Sequence, residues 1–281
     1  MTDRSASFPD DSGLAVPARA NSALRAVRSL TFILLYCVYV LLVIGAGQRL
    51  VIWPLIAILP KKRRALVRWW LRFNARATFA LARGIGGLRL TIEGRIPPEP
   101  VVVIMNHQSV LDIPLGVLMT PGPYPIIPTR DRYGRRIPGI APLTRIAEYP
   151  LVSQGRSAKR EELLALKQAA DKVAAGHNSL LIFPEGHRTR RGEVAPFMKS
   201  GLALILPRAR RPVYCIVADG MWHARTIWDA MLRFAGLEVH ARVLGPFEAP
   251  SRGDVDGFLD DLRQRMIAEI ERMRREGAPR A

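Results

Sequence analysis

One stretch indicates the fold most directly: Val101-Val-Val-Ile-Met-Asn-His-Gln-Ser-Val-Leu-Asp112. Its first half is a run of apolar residues typical of a buried strand, and the run stops abruptly at a polar turn. That turn carries His107, and Asp112 follows five residues later. A buried strand that brings a histidine and a carboxylate to its end is a common way to build a general base.

A second stretch repeats this plan: Ser179-Leu-Leu-Ile-Phe-Pro-Glu-Gly-His-Arg-Thr189. An apolar strand again ends in a charged turn, with Glu185 and Arg188 on either side of Gly186. An arginine beside exposed turn amides is a natural site for phosphate, and Glu185 is suited to bind a hydroxyl or to hold Arg188. The alternative is a surface turn with a local ion pair, in which His187 is a bystander or a second polar contact.

From Leu88 onward, strand patterns alternate with helix patterns. Strands are predicted at 88–93, 101–105, 124–127, 148–152, 179–183, 213–218 and 238–244. Helices are predicted at 110–119, 157–175 and 196–207, and an amphipathic helix at 253–276. This alternation predicts an α/β fold with a largely parallel sheet flanked by helices.

The N-terminal part of the chain has a different composition. Residues 1–25 mix Asp, Ser, Pro and Ala without periodicity, which favours disorder. Residues 29–47 carry no charge, and as a helix of about 19 residues they reach roughly 28 Å, close to the bilayer core. The stretch 50–59 contains Pro54 and is too short to span alone, so it is interpreted as half of a bent hairpin or as an interfacial segment. The alternative for 29–47 is a buried helix of a soluble domain.

Residues 62–83 are predicted to form an interfacial helix. Arginines recur every four residues along one face, and tryptophans and phenylalanine lie beside them, which is typical of a helix at the lipid headgroups. An ordinary surface helix is the alternative. The chain therefore divides into a disordered N-terminus (1–25), membrane-anchoring and interfacial helices (26–84) and an α/β domain that includes the C-terminal helix (85–281).

The charge of the chain points to an anionic partner. It has 42 Lys and Arg against 24 Asp and Glu, a formal net charge of +18. The basic residues cluster beside apolar segments, as in Lys61-Lys-Arg-Arg64, and no nucleic-acid-binding motif accompanies them. This favours a membrane over nucleic acid, and the dense cluster after the apolar span predicts that the rest of the chain lies on the cytoplasmic side. Cys37 and Cys215 both lie in apolar runs and indicate neither a disulfide nor a metal site.

His107 and Asp112 meet only if the histidine lies on the turn and the aspartate on the first helical turn after it. Within one continuous helix, residues five apart diverge by about 140°. A carboxylate that accepts from one imidazole nitrogen leaves the other nitrogen free to take a proton. Ser109 is close enough to be considered as a nucleophile, although this arrangement does not require one.

Together, these two motifs resemble those of the 1-acylglycerol-3-phosphate acyltransferase family. The resemblance is carried by Asn-His-Gln-Ser-x-x-Asp, followed some seventy residues later by Phe-Pro-Glu-Gly-x-Arg, and covers about residues 85–220. It implies a membrane-bound O-acyltransferase of phospholipid biosynthesis, with acyl-CoA or acyl-carrier protein as donor and a lysophospholipid as acceptor. It implies neither a metal nor a redox cofactor.

The resemblance also implies roles for individual residues. His107 is the base and Asp112 its partner, while Glu185, Gly186 and Arg188 belong to the site of the acceptor phosphate. Two further cations are predicted to help hold this phosphate, Lys199 in the segment Pro196–Gly201 and Arg156. Arg211-Pro-Val-Tyr-Cys-Ile-Val217 resembles an apolar strand on the acyl side.

The chain departs from the family pattern around the acceptor site. His187 and Thr189 stand where Thr and Ser are common, and Gln154 stands where an arginine is expected, with Arg156 two residues later. The acceptor therefore stays open between 1-acyl-glycerol-3-phosphate and another lysolipid, such as a lyso-ornithine lipid or a lipid A precursor. A non-catalytic membrane-binding protein of the same fold is the third hypothesis.

Overall fold

The computed structural model of the protein describes residues 22–136, 139–153 and 159–277. Its strands are β1 (Arg89–Glu93), β2 (Val102–Met105), β3 (Pro125–Ile126), β4 (Thr129–Arg130), β5 (Leu151–Val152), β6 (Ser179–Ile182), β7 (Val213–Asp219) and β8 (Glu238–Phe247). Six of them form one sheet in the order β1-β8-β7-β2-β6-β3. In it, β7 and β8 are antiparallel and the other neighbours are parallel. The predicted α/β fold with a largely parallel sheet is confirmed.

The helices are α1 (Ser22–Tyr39), α2 (Trp53–Ile58), α3 (Arg63–Gly84), α4 (Asp112–Met119), α5 (Asp131–Arg136), α6 (Ile140–Ile146), α7 (Arg160–Ala174), α8 (Lys199–Ala209), α9 (Ile227–Arg233) and α10 (Val255–Gly277). The ranges 40–46 and 48–52 are π-helical and join α1 to α2. Short 3₁₀ turns precede α3, at 60–62, and α9, at 221–224. The long helices predicted in the α/β domain are all present, with ends shifted by a few residues.

The core lies on both faces of the three central strands. Every residue of β2, β6 and β7 is buried, because helices cover the sheet on each side, and this explains why these strands read as continuous apolar runs. The amphipathic helix predicted at the C-terminus is α10, and its apolar stripe is buried at Leu259, Leu262, Met266, Ile270 and Met273.

The predicted strand at 148–152 is shorter than expected and does not belong to the main sheet. Only Leu151–Val152 is a strand, and it pairs with β4 in a separate two-stranded sheet. Glu148 has a φ of +55°, a left-handed conformation that interrupts an extended strand. The elements β4, α5, α6 and α9 were not predicted, because none is long enough for its periodicity to stand out.

The two apolar N-terminal segments form one helical run. Residues 23–58 are a helix of 36 residues, long and apolar enough to cross a membrane, and only 17% of its most apolar 18-residue window is buried. Pro54 lies in the first turn of α2, where proline is tolerated, so it does not separate the segments. Residues 22–25, expected to be disordered, are already helical, since their sequence Ser-Ala-Leu-Arg contains good helix formers; residues 1–21 lie outside the described part.

This helical run lies along the α/β domain. Near its start, Arg28 donates to the carbonyl of Ile85 (2.5 Å) and Ser29 accepts from the amide of Ala235 (2.9 Å). Further along, Tyr39 donates to Asn74 (2.7 Å), and Gln48 donates to the carbonyl of Gly139 (3.2 Å). From residue 28 to residue 48 is about 30 Å of helix, so one side of the helix is fastened over that whole length.

The helix predicted at 62–83 is α3, and it has the expected two faces. Val67, Trp70 and Leu71 are buried, whereas Trp69 and Phe73 are exposed and stacked at 5.6 Å. Three of the arginines on the predicted basic face, Arg64, Arg68 and Arg76, are exposed. The fourth, Arg72, donates to the carbonyl of Gly122 at 3.0 Å.

Candidate active site

The two polar turns meet at one edge of the sheet. Strands β2 and β6 are parallel neighbours, and the carboxyl ends of parallel strands lie at the same edge, where such folds place their sites. The His107 turn follows β2 and the Glu185 turn follows β6. A backbone hydrogen bond links the turns, because the amide of Thr189 donates to the carbonyl of His107 at 2.8 Å.

His107 and Asp112 form the predicted pair. His107 Nδ1 lies 2.9 Å from Asp112 Oδ2, and the same oxygen accepts from the backbone amides of Gln108 (2.5 Å) and Ser109 (2.7 Å). Because three N–H groups converge on one oxygen, Nδ1 is the protonated nitrogen and Nε2 is left to accept a proton. Asp112 is fully buried, while the His107 side chain keeps 16% of its exposure. The imidazole also packs against the ring of Phe183, with centroids 4.5 Å apart.

Glu185 ties the His107 turn to the segment before α8. One of its carboxyl oxygens accepts from the amide of His107 (2.8 Å) and the other from the amide of Ala195 (2.9 Å). The residue is almost fully buried. Burial raises the pKa of Glu185 to about 7, although the two backbone N–H groups act in the opposite direction. Glu185 therefore positions the backbone of His107. The alternative that Glu185 holds Arg188 is wrong, because both of its carboxyl oxygens accept from backbone amides.

Cations gather around the second turn. Arg130, at the end of β4, donates to the carbonyl of Gly186, and Arg188 donates from Nη1 to the carbonyl of Arg225 at 2.6 Å. Burial, with Arg132 and Arg188 nearby, lowers the pKa of Arg130. Gly186 has a φ of +66°, and a Cβ there would collide with the sulfur of Met198. The positive φ thus favours glycine at this position, and two guanidinium groups lie beside the turn.

The other residues predicted for this site have different partners or lie outside the described residues. Lys199 is paired with Asp260 on α10 at 2.7 Å, so its predicted role toward the acceptor phosphate stays a prediction. Arg156 and Gln154 lie outside the described residues. Ser109 is buried and its hydroxyl donates to the carbonyl of Ala224 at 3.2 Å, an arrangement that supports the turn and does not present a nucleophile. His187 is exposed.

A second layer of polar residues supports the His107 turn. Asn106 bonds to both the amide and the carbonyl of Ala218 at 2.8 Å, joining β2 to β7. Gln108 donates to Asp219 (3.1 Å), which in turn accepts two bonds from Arg274 on α10 (2.7 and 2.9 Å). Asp219 ends an apolar strand, and that position could have marked it in the sequence as a site residue. No local pattern marks Arg274.

This arrangement supports proton transfer beside an anionic ligand. A free imidazole nitrogen is backed by a buried carboxylate, and two arginines lie at the neighbouring turn. Among the described residues, no group of three or more His, Cys, Asp and Glu side chains is placed to hold a metal ion.

Known proteins resemble this region in sequence and in fold. A family model described as Acyltransferase matches residues 88–219. The 1-acyl-sn-glycerol-3-phosphate acyltransferase alpha of Homo sapiens is 26% identical over 199 residues, which is 68% of this chain and 67% of that protein. The 1-acyl-sn-glycerol-3-phosphate acyltransferase of Cocos nucifera is 29% identical over 145 residues, 48% of this chain and 42% of its own length.

A solved structure has the same fold. The crystal structure of the 1-acyl-sn-glycerophosphate acyltransferase of Thermotoga maritima superposes with a TM-score of 0.65 at 20% identity, over 88% of this chain and 98% of that one. This likeness extends the shared fold well beyond the region that the family model matches.

Proposed function

We propose that this chain, whose residues 88–219 match the Acyltransferase family model, moves a fatty acyl group from acyl-CoA or acyl-carrier protein to the free hydroxyl of 1-acyl-glycerol-3-phosphate, making phosphatidate. The observation that carries the proposal is the His107–Asp112 pair at the sheet edge, next to a turn with two arginines. The names of the relatives in Homo sapiens and Cocos nucifera support this acceptor.

The chemistry follows from the free nitrogen of His107. Nε2 removes the proton of the acceptor hydroxyl as that oxygen attacks the thioester carbonyl, and the C–O bond forms. The tetrahedral intermediate collapses by breaking the C–S bond, and the imidazolium returns its proton to the leaving thiolate. Asp112 stabilises the imidazolium between these steps through Nδ1. General-base assistance of this kind contributes about 10²–10⁴-fold in rate.

The second turn is proposed to hold the acceptor phosphate. Arg188 uses one nitrogen on the carbonyl of Arg225 and Arg130 uses one on the carbonyl of Gly186, but a guanidinium has five N–H donors, so each keeps others for a ligand. Anchored guanidinium groups lose less side-chain entropy when they bind phosphate. Lys199 and Arg156 remain predicted contributors.

The N-terminal helix is proposed to lie in the membrane surface on the cytoplasmic side. Its contacts with the α/β domain at residues 28 and 48 are separated by about 30 Å, the thickness of the hydrocarbon core. If the helix crossed upright, the charged α/β domain fastened along it would have to cross as well, which is prohibitively costly. A helix in the plane keeps its apolar side in lipid and the domain outside.

The decisive experiment is acyl transfer by membranes that contain the His107→Ala variant. With labelled acyl-CoA and 1-acyl-glycerol-3-phosphate, we expect phosphatidate formation to fall by at least about 10²-fold, because no other described group replaces Nε2. The matched control is His177→Ala, an exposed histidine just before β6, which should retain parental activity. Failure of the parent protein to acylate any lysolipid would refute the proposal.

A second candidate is acylation of a lysolipid with another headgroup, such as a lyso-ornithine lipid. The observation that favours it is the exposed His187 in the acceptor turn, where the family commonly has threonine. A panel of lysolipids offered with one acyl-CoA decides between the two. A clear preference for an acceptor without phosphate would overturn the assignment of Arg130 and Arg188.

A further inference from the structure

The short helix α9 presents two large apolar side chains to the outside. Trp228 is 72% exposed and Leu232 is 66% exposed, and residues four apart lie on the same face of a helix. The helix is firmly built, because Thr226 and Asp229 form a reciprocal capping box at its start. Its opposite face is buried through Ala230, and Phe234 follows in the core. We call Trp228 and Leu232 the α9 patch.

The α9 patch adjoins the apolar N-terminal helix. Phe234 stacks on Phe32 of α1 with ring centroids 4.0 Å apart, and the amide of Ala235 donates to Ser29. On α1, several apolar side chains near these contacts are exposed, namely Leu24, Val27, Leu30, Leu34 and Leu35. Two helices that pack on each other therefore both leave apolar side chains uncovered.

The segment that leads into α9 also contacts the active site. The carbonyl of Ala224 accepts from Ser109 in the catalytic turn, and the carbonyl of Arg225 accepts from Arg188. Val110, next to Ser109, is 53% exposed. Exposed apolar side chains thus lie on α1, on α9 and beside Ser109, and the segment before α9 contacts the turns that are proposed to meet the acceptor.

The composition of α9 matches a lipid–water boundary. Tryptophan is enriched at that boundary because its ring is apolar while its N–H finds water or a headgroup. Arg225 precedes the helix and Arg233 is its last residue, which suits anionic headgroups in a chain of net charge +18. A second copy of the chain would not need cations at both ends of the patch.

We propose that α9 is a second membrane-docking element, in which Trp228 and Leu232 enter the headgroup–acyl boundary of an anionic bilayer beside α1. This contact turns the catalytic edge of the sheet toward the lipid surface, so that a lysolipid reaches His107 without leaving the membrane. The inference rests on the membrane location in the proposed function, and it adds a specific element that sets the orientation of the domain.

The first test measures how deeply the α9 patch lies in a lipid bilayer, with the whole chain present. After Cys37→Ala and Cys215→Ala, a nitroxide is attached at Trp228→Cys, at Leu232→Cys or at the control Leu164→Cys. Leu164 is an exposed leucine on α7. The protein is reconstituted in vesicles of phosphatidylcholine with a minority of phosphatidylglycerol, and collisions with oxygen and with a water-soluble nickel complex are compared.

We expect the labels at 228 and 232 to lie about 5–10 Å inside the boundary and the label at 164 to lie in water. Equal access of the nickel complex to all three positions would overturn the proposal. So would dipolar broadening between labels at 228 of two molecules, because that outcome means that a second copy covers the patch.

The second test separates docking from catalysis. In the Trp228→Glu/Leu232→Glu variant we expect acyl transfer to lysophosphatidate in vesicles to fall roughly tenfold, because two charged groups resist insertion. Transfer to a short-chain lysophosphatidate dissolved in water should match the parent, and Leu164→Glu should match it on both substrates. Equal loss on both substrates, or no loss on vesicles, contradicts the proposal. If the parent acylates nothing, the proposed function fails, and the depth measurement still decides the role of α9.

Discussion

The buried carboxylate of Asp112 shows how one residue sets the chemistry of the site. Its Oδ2 accepts from the imidazole and from two backbone amides of the same turn, so the turn is folded around this oxygen. The negative charge has no exposure to water and acts on the imidazole in a low-dielectric environment. The residue thus holds the shape of the turn and, in the proposed mechanism, stabilises the charge that develops on His107.

Replacing Asp112 with asparagine separates these two roles. In Asp112→Asn the amide oxygen is able to keep the three hydrogen bonds, but the charge that stabilises the imidazolium is gone. We expect kcat to fall by about 10²–10⁴-fold, with little change in KM because Asp112 is buried. Steady-state kinetics on the purified variant measures both. A rise in KM at unchanged kcat would contradict this assignment.

Glu185 gives the stability of the protein a pH dependence. Its pKa is about 7 in the fold, against an ordinary value of 4.5, because of burial. The folded state holds this proton more tightly than the unfolded chain does. The stabilisation is therefore complete below about pH 4.5 and is lost as the pH rises to about 7, a change of about 3 kcal/mol.

The pH dependence of the free energy of unfolding is measured by denaturant unfolding in detergent between about pH 4.5 and pH 7. The Glu185→Gln variant cannot titrate, so we expect its free energy of unfolding to lack this decline. The variant should also be less stable at low pH, since an amide group replaces one of the two acceptor oxygens. The exposed Glu99→Gln is the control and should keep the parental slope; an identical slope in Glu185→Gln would refute the assignment.

At the scale of elements, α10 supports the active site from the far end of the chain. Arg274 donates twice to Asp219 and once to the carbonyl of Gly192 (3.2 Å), and Asp219 accepts from Gln108 in the catalytic turn. The helix therefore does more than cover the sheet with its apolar stripe. Its last turns restrain the residue next to His107.

Arg274 is accordingly a positioning residue. In Arg274→Ala we expect kcat to fall roughly tenfold, equivalent to about 1.4 kcal/mol, because Asp219 and Gln108 lose their restraint. KM should change little, and Arg274→Lys should recover only part of the loss, since lysine lacks the bidentate geometry. Arg265→Ala, which removes an exposed ion pair of the same helix, is the control. Comparable losses in both variants would mean that only helix stability is involved.

At the scale of the whole molecule, the N-terminal helix and the α/β domain form one unit. Polar contacts join them at Arg28, Ser29, Tyr39 and Gln48, while most of the apolar side chains of the helix remain uncovered. An anchor attached along its length orients the domain, whereas an anchor attached only at its end leaves the domain free to rotate. This attachment suits the proposed transfer of an acyl group to a lysolipid that resides in the membrane.

The in-plane position of this helix predicts that both of its ends face the same side of the membrane. With Cys37 and Cys215 replaced by alanine, single cysteines are placed at the exposed positions Ala23→Cys and Lys62→Cys. An impermeant maleimide should label both in inside-out membrane vesicles and neither in sealed right-side-out vesicles. Labelling of the two positions from opposite sides would mean that the helix crosses.

Local sequence patterns determined most of the long strands and helices and one pair of site residues. The apolar runs that form β2, β6 and β7 and the polar turns after them are visible because buried strands need continuous apolar residues. The same holds for α3, α7 and α10, which are long enough for helical periodicity to register. His107 and Asp112 were found because both lie within one turn, and the family motif gave them roles.

Only the tertiary structure decided how the distant parts meet. The contacts of Glu185 with His107, of Arg274 with Asp219 and of Arg188 with Arg225 join residues 78, 55 and 37 positions apart, and no local pattern encodes such pairs. Composition likewise marks 23–58 as apolar, but the direction of that helix depends on where Arg28 and Gln48 find partners on the domain. Propensity acts over a few residues, whereas burial and hydrogen bonding are settled by the packing of the whole chain.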